Sequence, residues 1–345
     1  MIYAHRVSFV CSLILCALPV WAETLSTPPP VAARTRIVRV HDGRATKAFE
    51  ADETRVAAMF NRALLLQTRQ TNVVRAWRSL VSTQDMVGIK VVAAPGPRAG
   101  TRVTVAAAAI AGLIEAGVPA KHVIVWDKHL PDLEIGGFRS LVERYQIRLA
   151  GSAEAGYDAT VFYENALIGN LLWGDLEFGK KGENIGRRSF VSTLLSGQIT
   201  KIVNIAPLLN HNVAGVNGCL YSLATGSVDN YLRFEAASDR MATGLPELFA
   251  MPALGDKVVL HVIDALICQY QGEQKMRLHY SVPLNELWLS SDPVALDVRA
   301  IEELERQREM AKVSAPKGNL EIYQNASLLD LGKSDLKQVD IENAP

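Results

Sequence analysis

The sequence contains few cysteines and no excess of charge of either sign. Its 345 residues include four cysteines, of which Cys219 and Cys268 lie beyond the N-terminal segment. Two thiolates are too few for a four-thiolate iron–sulfur cluster, so no such cluster is expected. The 36 basic side chains are balanced by 36 acidic ones. No nucleic-acid partner is expected, because binding to phosphates depends on a surplus of Lys and Arg.

Several signatures of catalysis are also absent. The chain has no Walker lysine pattern, no spaced glycines of a dinucleotide fingerprint and no Gly-x-Ser-x-Gly elbow. Cys219 has no evident base, so nucleophilic catalysis has little support. Two interpretations of the cysteines stay open. Cys219 and Cys268 could pair in an oxidising compartment, and their apolar neighbours suit buried free thiols equally well.

Residues 1–22 have the pattern of a signal peptide. Arg6 precedes an apolar run from Val7 to Val20, and Ala22 provides the small residue before the expected cleavage site. This run is shorter than a membrane-spanning helix and contains Pro19. The segment has no Arg-Arg pair, which favours Sec-type export. We expect a periplasmic or extracellular protein with no membrane insertion after cleavage, and an extended N-terminus over residues 23–35.

Apolar runs bounded by turn residues predict an α/β fold. Val87 to Ala94 and His122 to Trp126 have the pattern of strands, with an apolar helix from Thr104 to Ala116 between them. Such strands are typical of parallel sheets that are buried on both faces. We expect one large α/β domain over residues 36–310, with a largely parallel sheet and helices on both faces. The polar residues 311–345 are predicted to form a C-terminal tail.

Polar residues next to the strand ends are the candidate catalytic groups. Ligands of parallel sheets usually bind beyond the carboxyl ends of the strands. Lys90 lies in the first of these strands, and His211 follows a third, Ile202 to Ala206, among small residues. Asp297 lies one turn after Asp292, which is expected to cap a helix. We predict catalytic roles for Lys90, His211 and Asp297, with His211 as a general acid or base at neutral pH. The alternative for Lys90 is a structural ion pair with Asp127 or Asp264.

A divalent metal is the one cofactor for which the sequence offers ligands. Asp127 and Asp264 each follow an apolar strand. Together with His211 they would provide one imidazole and two carboxylates, a suitable set for a hard or borderline metal. The alternative is that each carboxylate caps the helix that follows its strand.

The loop from Pro95 to Thr104 is a candidate anion site. Arg98 and Arg102 supply positive charge, and Thr101 precedes a helix whose amino end favours anions. The alternative is a mobile, solvated loop.

Five motifs in the sequence resemble those of one family. They are Asn72 to Val74 with Val87 to Val91, His122 to Asp127, Ile202 to Pro207 with His211 to Val216, Ile263 to Ala265, and Ser291 to Asp297. In this order they resemble the bacterial and archaeal DUF362 family, defined by a domain of unknown function, over roughly Thr71 to Arg308. The resemblance implies no settled reaction.

The chain departs from that family pattern at three places. Val92 stands where members typically have Asn, Asn210 where they have Lys, and Tyr221-Ser222 where they have Lys-Asn. Two hypotheses therefore stay open. The protein is an exported, metal-assisted enzyme that acts on a small anionic or hydroxylated substrate, or it is a non-catalytic binding protein for a small-molecule ligand or partner.

Overall fold

The computed structural model describes residues 35–165, 187–314 and 316–345. The predicted signal peptide lies outside the described residues, as does the extended N-terminus up to Arg34. Within the described ranges, no helix is both long and apolar enough to cross a membrane.

The described residues form thirteen strands and eleven α-helices. The strands are β1 (Thr35–His41), β2 (Thr46–Lys47), β3 (Glu50–Ala51), β4 (Val87–Lys90), β5 (Val123–Asp127), β6 (Arg148–Gly151), β7 (Tyr157–Glu164), β8 (Arg188–Ser192), β9 (Lys201–His211), β10 (Gly215–Val216), β11 (Val258–Gln269), β12 (Ser281–Ser290) and β13 (Val339–Ala344). The helices are α1 (Glu53–Thr68), α2 (Val73–Arg78), α3 (Val103–Glu115), α4 (Leu130–Ile135), α5 (Arg139–Tyr145), α6 (Ser152–Ala155), α7 (Cys219–Ser227), α8 (Leu232–Glu235), α9 (Ser238–Phe249), α10 (Pro293–Ala311) and α11 (Glu321–Leu328).

One large sheet organises these elements, in the strand order β13-β1-β12-β11-β9-β4-β5-β6. The pairs from β11 to β6 are all parallel, whereas β12 is antiparallel to both β11 and β1. The prediction of a largely parallel sheet is therefore confirmed. The described residues belong to one compact unit.

Alternating side chains of the central strands pack into two separate hydrophobic cores. Val203 and Ile205 of β9 pack in one core with residues of α1 and α3, and Ile202 and Ala206 pack in the other with residues of α7 and α10. Burial of each such aliphatic side chain contributes roughly 1.5–3 kcal/mol. Helices therefore cover both faces of the sheet, as predicted.

Helix starts follow the capping residues of the sequence. The Asn72 side chain accepts a hydrogen bond from Arg75 N at the start of α2, and Asp292 does the same for Ala295 N at the start of α10. The cap at Asp292 is as predicted. Helix α10 ends at Ala311, because Lys312 takes the left-handed conformation at φ 55°.

The predicted C-terminal tail over residues 311–345 is wrong, because the described residues 316–345 are part of the fold. Helix α11 lies in this segment, and the Tyr323 hydroxyl donates to Ala214 O. Strand β13 pairs in parallel with β1. Its pattern was not recognisable as a strand because only Val339 is buried in this edge strand.

Both cysteines of the described residues, Cys219 and Cys268, are buried free thiols. Of the two interpretations that the sequence left open, the structure supports buried thiols. Burial raises the pKa of each thiol, so neither is a reactive thiolate.

Candidate functional site

A polar cavity of about 120 Å³ lies where the carboxyl ends of β4 and β5 meet α7. Parallel strands place their carboxyl ends along one edge of the sheet, and the sequence predicted a site at this edge. The residues that line it include Lys90, Asp127, Asn217, Ser222, Thr225 and Gly226.

Lys90 and Asp127 form a buried ion pair in this cavity. Lys90 Nζ lies 2.9 Å from Asp127 Oδ1 and also donates to Val91 O, at 2.6 Å. The second carboxylate oxygen, Oδ2, accepts from Ala93 N at 2.7 Å. Lys90 is 1% exposed and Asp127 is 6% exposed. The alternative interpretation of Lys90 is therefore confirmed, since it forms an ion pair that compensates its burial, and a catalytic role for Lys90 stays a prediction.

Two uncharged side chains that line the same cavity each have a buried polar atom with no hydrogen-bond partner among the described residues. These are Asn217 Oδ1 and Ser222 Oγ, in side chains that are 2% and 4% exposed. Other hydroxyls of α7 behave differently. Thr225 donates to Tyr221 O and Ser227 donates to Leu223 O, in each case to the carbonyl four residues earlier. Ser222 makes no such bond within the described part of the chain, so its hydroxyl is not bonded to the helix backbone.

Asp297 anchors the amino end of α7 and does not face the site. Its carboxylate accepts from Cys219 N at 2.6 Å and from Leu220 N at 2.9 Å, which satisfies two donors at the helix start. Gly218 permits this approach, because a Cβ there would lie 2.1 Å from Asp297 Oδ1. Burial raises the pKa of Asp297 to about 7. The predicted catalytic role is corrected, since Asp297 is fully buried and lines neither this cavity nor its neighbour.

A larger open cleft of about 640 Å³ adjoins the cavity, with Tyr221, Tyr231 and Gln274 lining both. His211 lies in this cleft, with its ring centroid 4.2 Å from that of Tyr221. The Tyr221 hydroxyl donates to Glu235. The cleft therefore gives the small cavity an open, aromatic approach.

The hydrogen bonds of His211 oppose its predicted role as a base. Its Nδ1 accepts from Val213 N at 3.3 Å and from Ala214 N at 3.0 Å, which assigns the ring proton to Nε2. Burial lowers the pKa of His211 to about 4, so the imidazole is neutral at pH 7. His211 can donate a hydrogen bond to a ligand, but its accepting nitrogen is occupied.

The predicted metal ligands do not assemble. Asp264 is fully buried, where it accepts from Arg102 N at 2.8 Å and pairs with the Arg102 guanidinium at 3.2 Å. Asp127 is paired with Lys90, and His211 lies in the neighbouring cleft. Across residues 35–165, 187–314 and 316–345, no three His, Cys, Asp or Glu side chains are grouped so that they could hold a metal. Sequence analysis considered an ion pair of Lys90 with a strand-end carboxylate, but it did not predict the pairing of Arg102 with Asp264.

The predicted anion cradle is also corrected, because the loop binds groups of the protein. Arg98 pairs with Glu50 at 2.7 Å, and Arg102 pairs with Asp264. Thr101 Oγ1 donates to Ile205 O at 2.8 Å and accepts from Val92 N at 3.0 Å. Asp264 supplies the anion at the start of α3, so the loop has no unpaired charge to offer a ligand.

Comparisons with known proteins assign no function to this site. No family model matches the chain, and no curated protein matches it. The chain is similar to the crystal structure of a protein from Thermotoga maritima determined by a structural genomics consortium, with 11% identity and a TM-score of 0.42. The match covers 76% of this chain and 60% of that protein. This likeness is too distant to support an argument about function.

Sequence analysis did not select Asn217, Ser222 or Gly226 as site residues. Asn217 belongs to the stretch of small and polar residues after β9, which was a usable signal. Ser222 stands at one of the positions that depart from the DUF362 pattern. Gly226 makes room for Lys90, because a Cβ there would lie 2.5 Å from Lys90 Cε.

Proposed function

We propose that this protein binds a small polar molecule in the cavity between the Lys90–Asp127 pair and α7. The observation that carries the proposal is that the side chains of Asn217 and Ser222 line one cavity, and that Asn217 Oδ1 and Ser222 Oγ are buried and have no partner among the described residues. An unsatisfied buried polar group costs about 1–3 kcal/mol. A ligand that bonds both groups would recover this free energy on binding.

The dimensions of the site favour an organic ligand that extends from the cavity into the cleft. The cavity volume of about 120 Å³ exceeds the roughly 30 Å³ that one water molecule occupies in the liquid. The adjoining cleft of about 640 Å³ is within the size range of ligand sites. The inner cavity would hold one polar end of the ligand, and the cleft would hold the remainder.

Binding is better supported than metal-assisted catalysis. The predicted base, His211, is neutral with its acceptor nitrogen occupied, and the carboxylates of Asp127 and Asp264 are in ion pairs. We therefore favour the second of the two sequence-based hypotheses, a ligand-binding protein. The signal-peptide pattern of residues 1–22 supports the proposal that it acts outside the cytoplasm.

Membership of the DUF362 family is part of the same proposal. Three of the positions that depart from the family pattern, Val92, Tyr221 and Ser222, line the proposed ligand cavity. A fourth, Asn210, accepts from Glu273 N at 3.0 Å and thereby contacts the loop that borders the cleft. The departures are thus concentrated around one site, as expected if this chain binds a different ligand from its relatives.

A thermal-shift screen with two matched variants tests the proposal. The panel contains sugars, polyols, hydroxy acids, amino acids and amines, and the proteins are wild type, Ser222→Ala and Ser227→Ala. We expect at least one compound to raise the Tm of wild type and Ser227→Ala but not of Ser222→Ala. Equal shifts in all three proteins, or no shift with any compound, would contradict binding at this cavity.

A further inference from the structure

We infer that the ligand is uncharged and rich in hydroxyl groups, as a sugar or polyol is. This inference rests on the proposed function and names the chemical class for the same cavity. The charged groups of the site are already bound to protein groups, whereas two of its uncharged groups have no partner among the described residues.

The cations that line the cavity are already compensated. Lys90 pairs with Asp127. Lys128 Nζ donates to Val228 O at 2.6 Å and to Asp229 O at 3.1 Å, and it lies 4.2 Å from the centre of the Tyr231 ring. An anionic ligand would have to compete with Asp127 for Lys90 and with two backbone carbonyls for Lys128. Neither lysine is arranged to receive it.

Carboxylates on the same wall would repel an anion. Asp127 and Asp132 both line the cavity. Burial raises the pKa of Asp132, and the negative charge of Asp127 raises it further, so the two carboxyls already interact unfavourably. A carboxylate or phosphate in the cavity would add a third negative group.

A hydroxyl group of a ligand can bond both of the groups that have no partner among the described residues. The Asn217 carboxamide offers one acceptor and one donor group in either orientation of the amide, and the Ser222 hydroxyl can donate and accept. A carboxylate only accepts, so it would leave Asn217 Oδ1 without a donor, and an ammonium only donates, so it would leave the Ser222 hydroxyl proton without an acceptor. A hydroxyl both donates and accepts. Two neighbouring hydroxyls can therefore satisfy Asn217 and Ser222 together.

The cleft beside the cavity suits the rest of such a molecule. Its charges are balanced, with Glu235 and Glu273 against Lys275 and Arg277. The aromatic lining residues are Tyr221, Tyr231 and Tyr280. Aromatic rings offer apolar contact area for the C–H faces of a sugar, and the polar groups around them can bond its hydroxyls. Neither half of the site has the cationic surplus that selects anions.

Matched pairs of ligands that differ by one charged group provide the test. The pairs are glucose with glucuronate, glycerol with glycerate, and myo-inositol with inositol monophosphate. Each is titrated calorimetrically into wild type, Ser222→Ala, Asn217→Ala and the control Ser227→Ala, at about 0.02 M and about 0.3 M salt. We expect a neutral member to bind at least about tenfold more tightly than its charged partner. Its Kd should change little with salt, and either cavity substitution should weaken binding about tenfold or more.

Two results would overturn the inference in distinguishable ways. Tighter, salt-sensitive binding of a charged member that depends on Ser222 would overturn the uncharged class but support the proposed site. Failure of every neutral member to bind would also overturn the uncharged class. The proposed function fails as well only if the broader thermal-shift panel contains no compound whose effect depends on Ser222.

Discussion

Uncharged side chains identify the candidate site better than charged ones do. Near the strand ends, the most conspicuous residues in the sequence are the charged ones, Lys90, Asp127, Arg102 and Asp264. Each of them forms an ion pair with another protein group. Ser222 resembles any small helical residue in sequence, and its hydroxyl has no partner in the described structure. A residue that the fold leaves unsatisfied is better placed to bind a ligand than one whose bonds are complete.

The stabilities of two serine variants without ligand test this assignment. Ser222→Ala removes no hydrogen bond, whereas Ser227→Ala removes the bond to Leu223 O. Both substitutions give α7 the same gain in helix propensity. We expect urea denaturation to show Ser227→Ala less stable than Ser222→Ala by about 0.5–1.5 kcal/mol. Equal losses would mean that the Ser222 hydroxyl has a structural partner.

Two buried groups give stability opposite dependences on pH. Burial lowers the pKa of His211 from 6.5 to about 4. Its contribution is therefore present above about pH 6.5 and is lost as the pH falls towards 4. Burial raises the pKa of Asp297 from 3.8 to about 7. Its contribution is present below about pH 3.8 and is lost as the pH rises towards 7.

Replacing each group by asparagine should change the pH dependence in opposite directions. Between about pH 4.5 and 6, we expect His211→Asn to lower the slope of unfolding free energy against pH by up to about 1.4 kcal/mol per unit. Asp297→Asn should raise that slope by a similar amount. Asparagine keeps one acceptor oxygen at each site, although at position 297 it can replace only one of the two carboxylate oxygens that accept from Cys219 N and Leu220 N. Curves parallel to that of wild type would show that neither group titrates in this way.

At the scale of elements, α7 presents the uncharged groups to the cavity. Asp297 of α10 fixes the amino end of α7, and Gly226 near its carboxyl end allows close approach to the Lys90 side chain. Helix α7 faces the cavity at the carboxyl ends of β4 and β5, and its apolar residues pack in one core with residues of α10. The position of α7 therefore determines where Ser222 stands relative to the Lys90–Asp127 pair.

Gly226→Ala tests that close packing. The added Cβ would lie 2.5 Å from Lys90 Cε and 3.1 Å from Nζ, so the end of the Lys90 side chain must shift and its ion pair with Asp127 is disturbed. We expect a loss of about 1–3 kcal/mol in stability, partly offset by helix propensity, together with weaker ligand binding. Gly197→Ala is the control, because a Cβ there meets no atom within 4 Å. Denaturation and titration of both variants should separate them; identical behaviour would contradict the packing argument.

At the scale of the whole molecule, local sequence patterns predicted the parallel sheet but not its edge strand β13, which the C-terminal residues form. The apolar strands, the caps at Asn72 and Asp292 and the location of the site at the strand ends follow from periodicity and parallel-sheet geometry. The pairing of Arg102 with Asp264, 162 residues apart, depends on the tertiary fold. The same is true of the missing partner of Ser222, because the absence of a contact has no sequence signal.

The C-terminal edge strand should be required for full stability. Deletion of residues 339–345 removes β13 and leaves β1 from Thr35 to Val40 without its parallel neighbour. We expect the free energy of unfolding to fall by about 1–3 kcal/mol. Deletion of Pro345 alone leaves β13 intact and is the control. If the two deletions leave equal stability, residues 339–344 contribute little, as the predicted tail would have done.

The central claim is that Asn217 and Ser222 bind the ligand. A crystal structure of the protein with the neutral compound that binds most tightly in the titrations tests it most directly. We predict ligand oxygen atoms within about 3.2 Å of the Asn217 carboxamide and of Ser222 Oγ, with the rest of the molecule in the cleft beside Tyr221. A ligand bound elsewhere, with only water in the cavity, would contradict the claim.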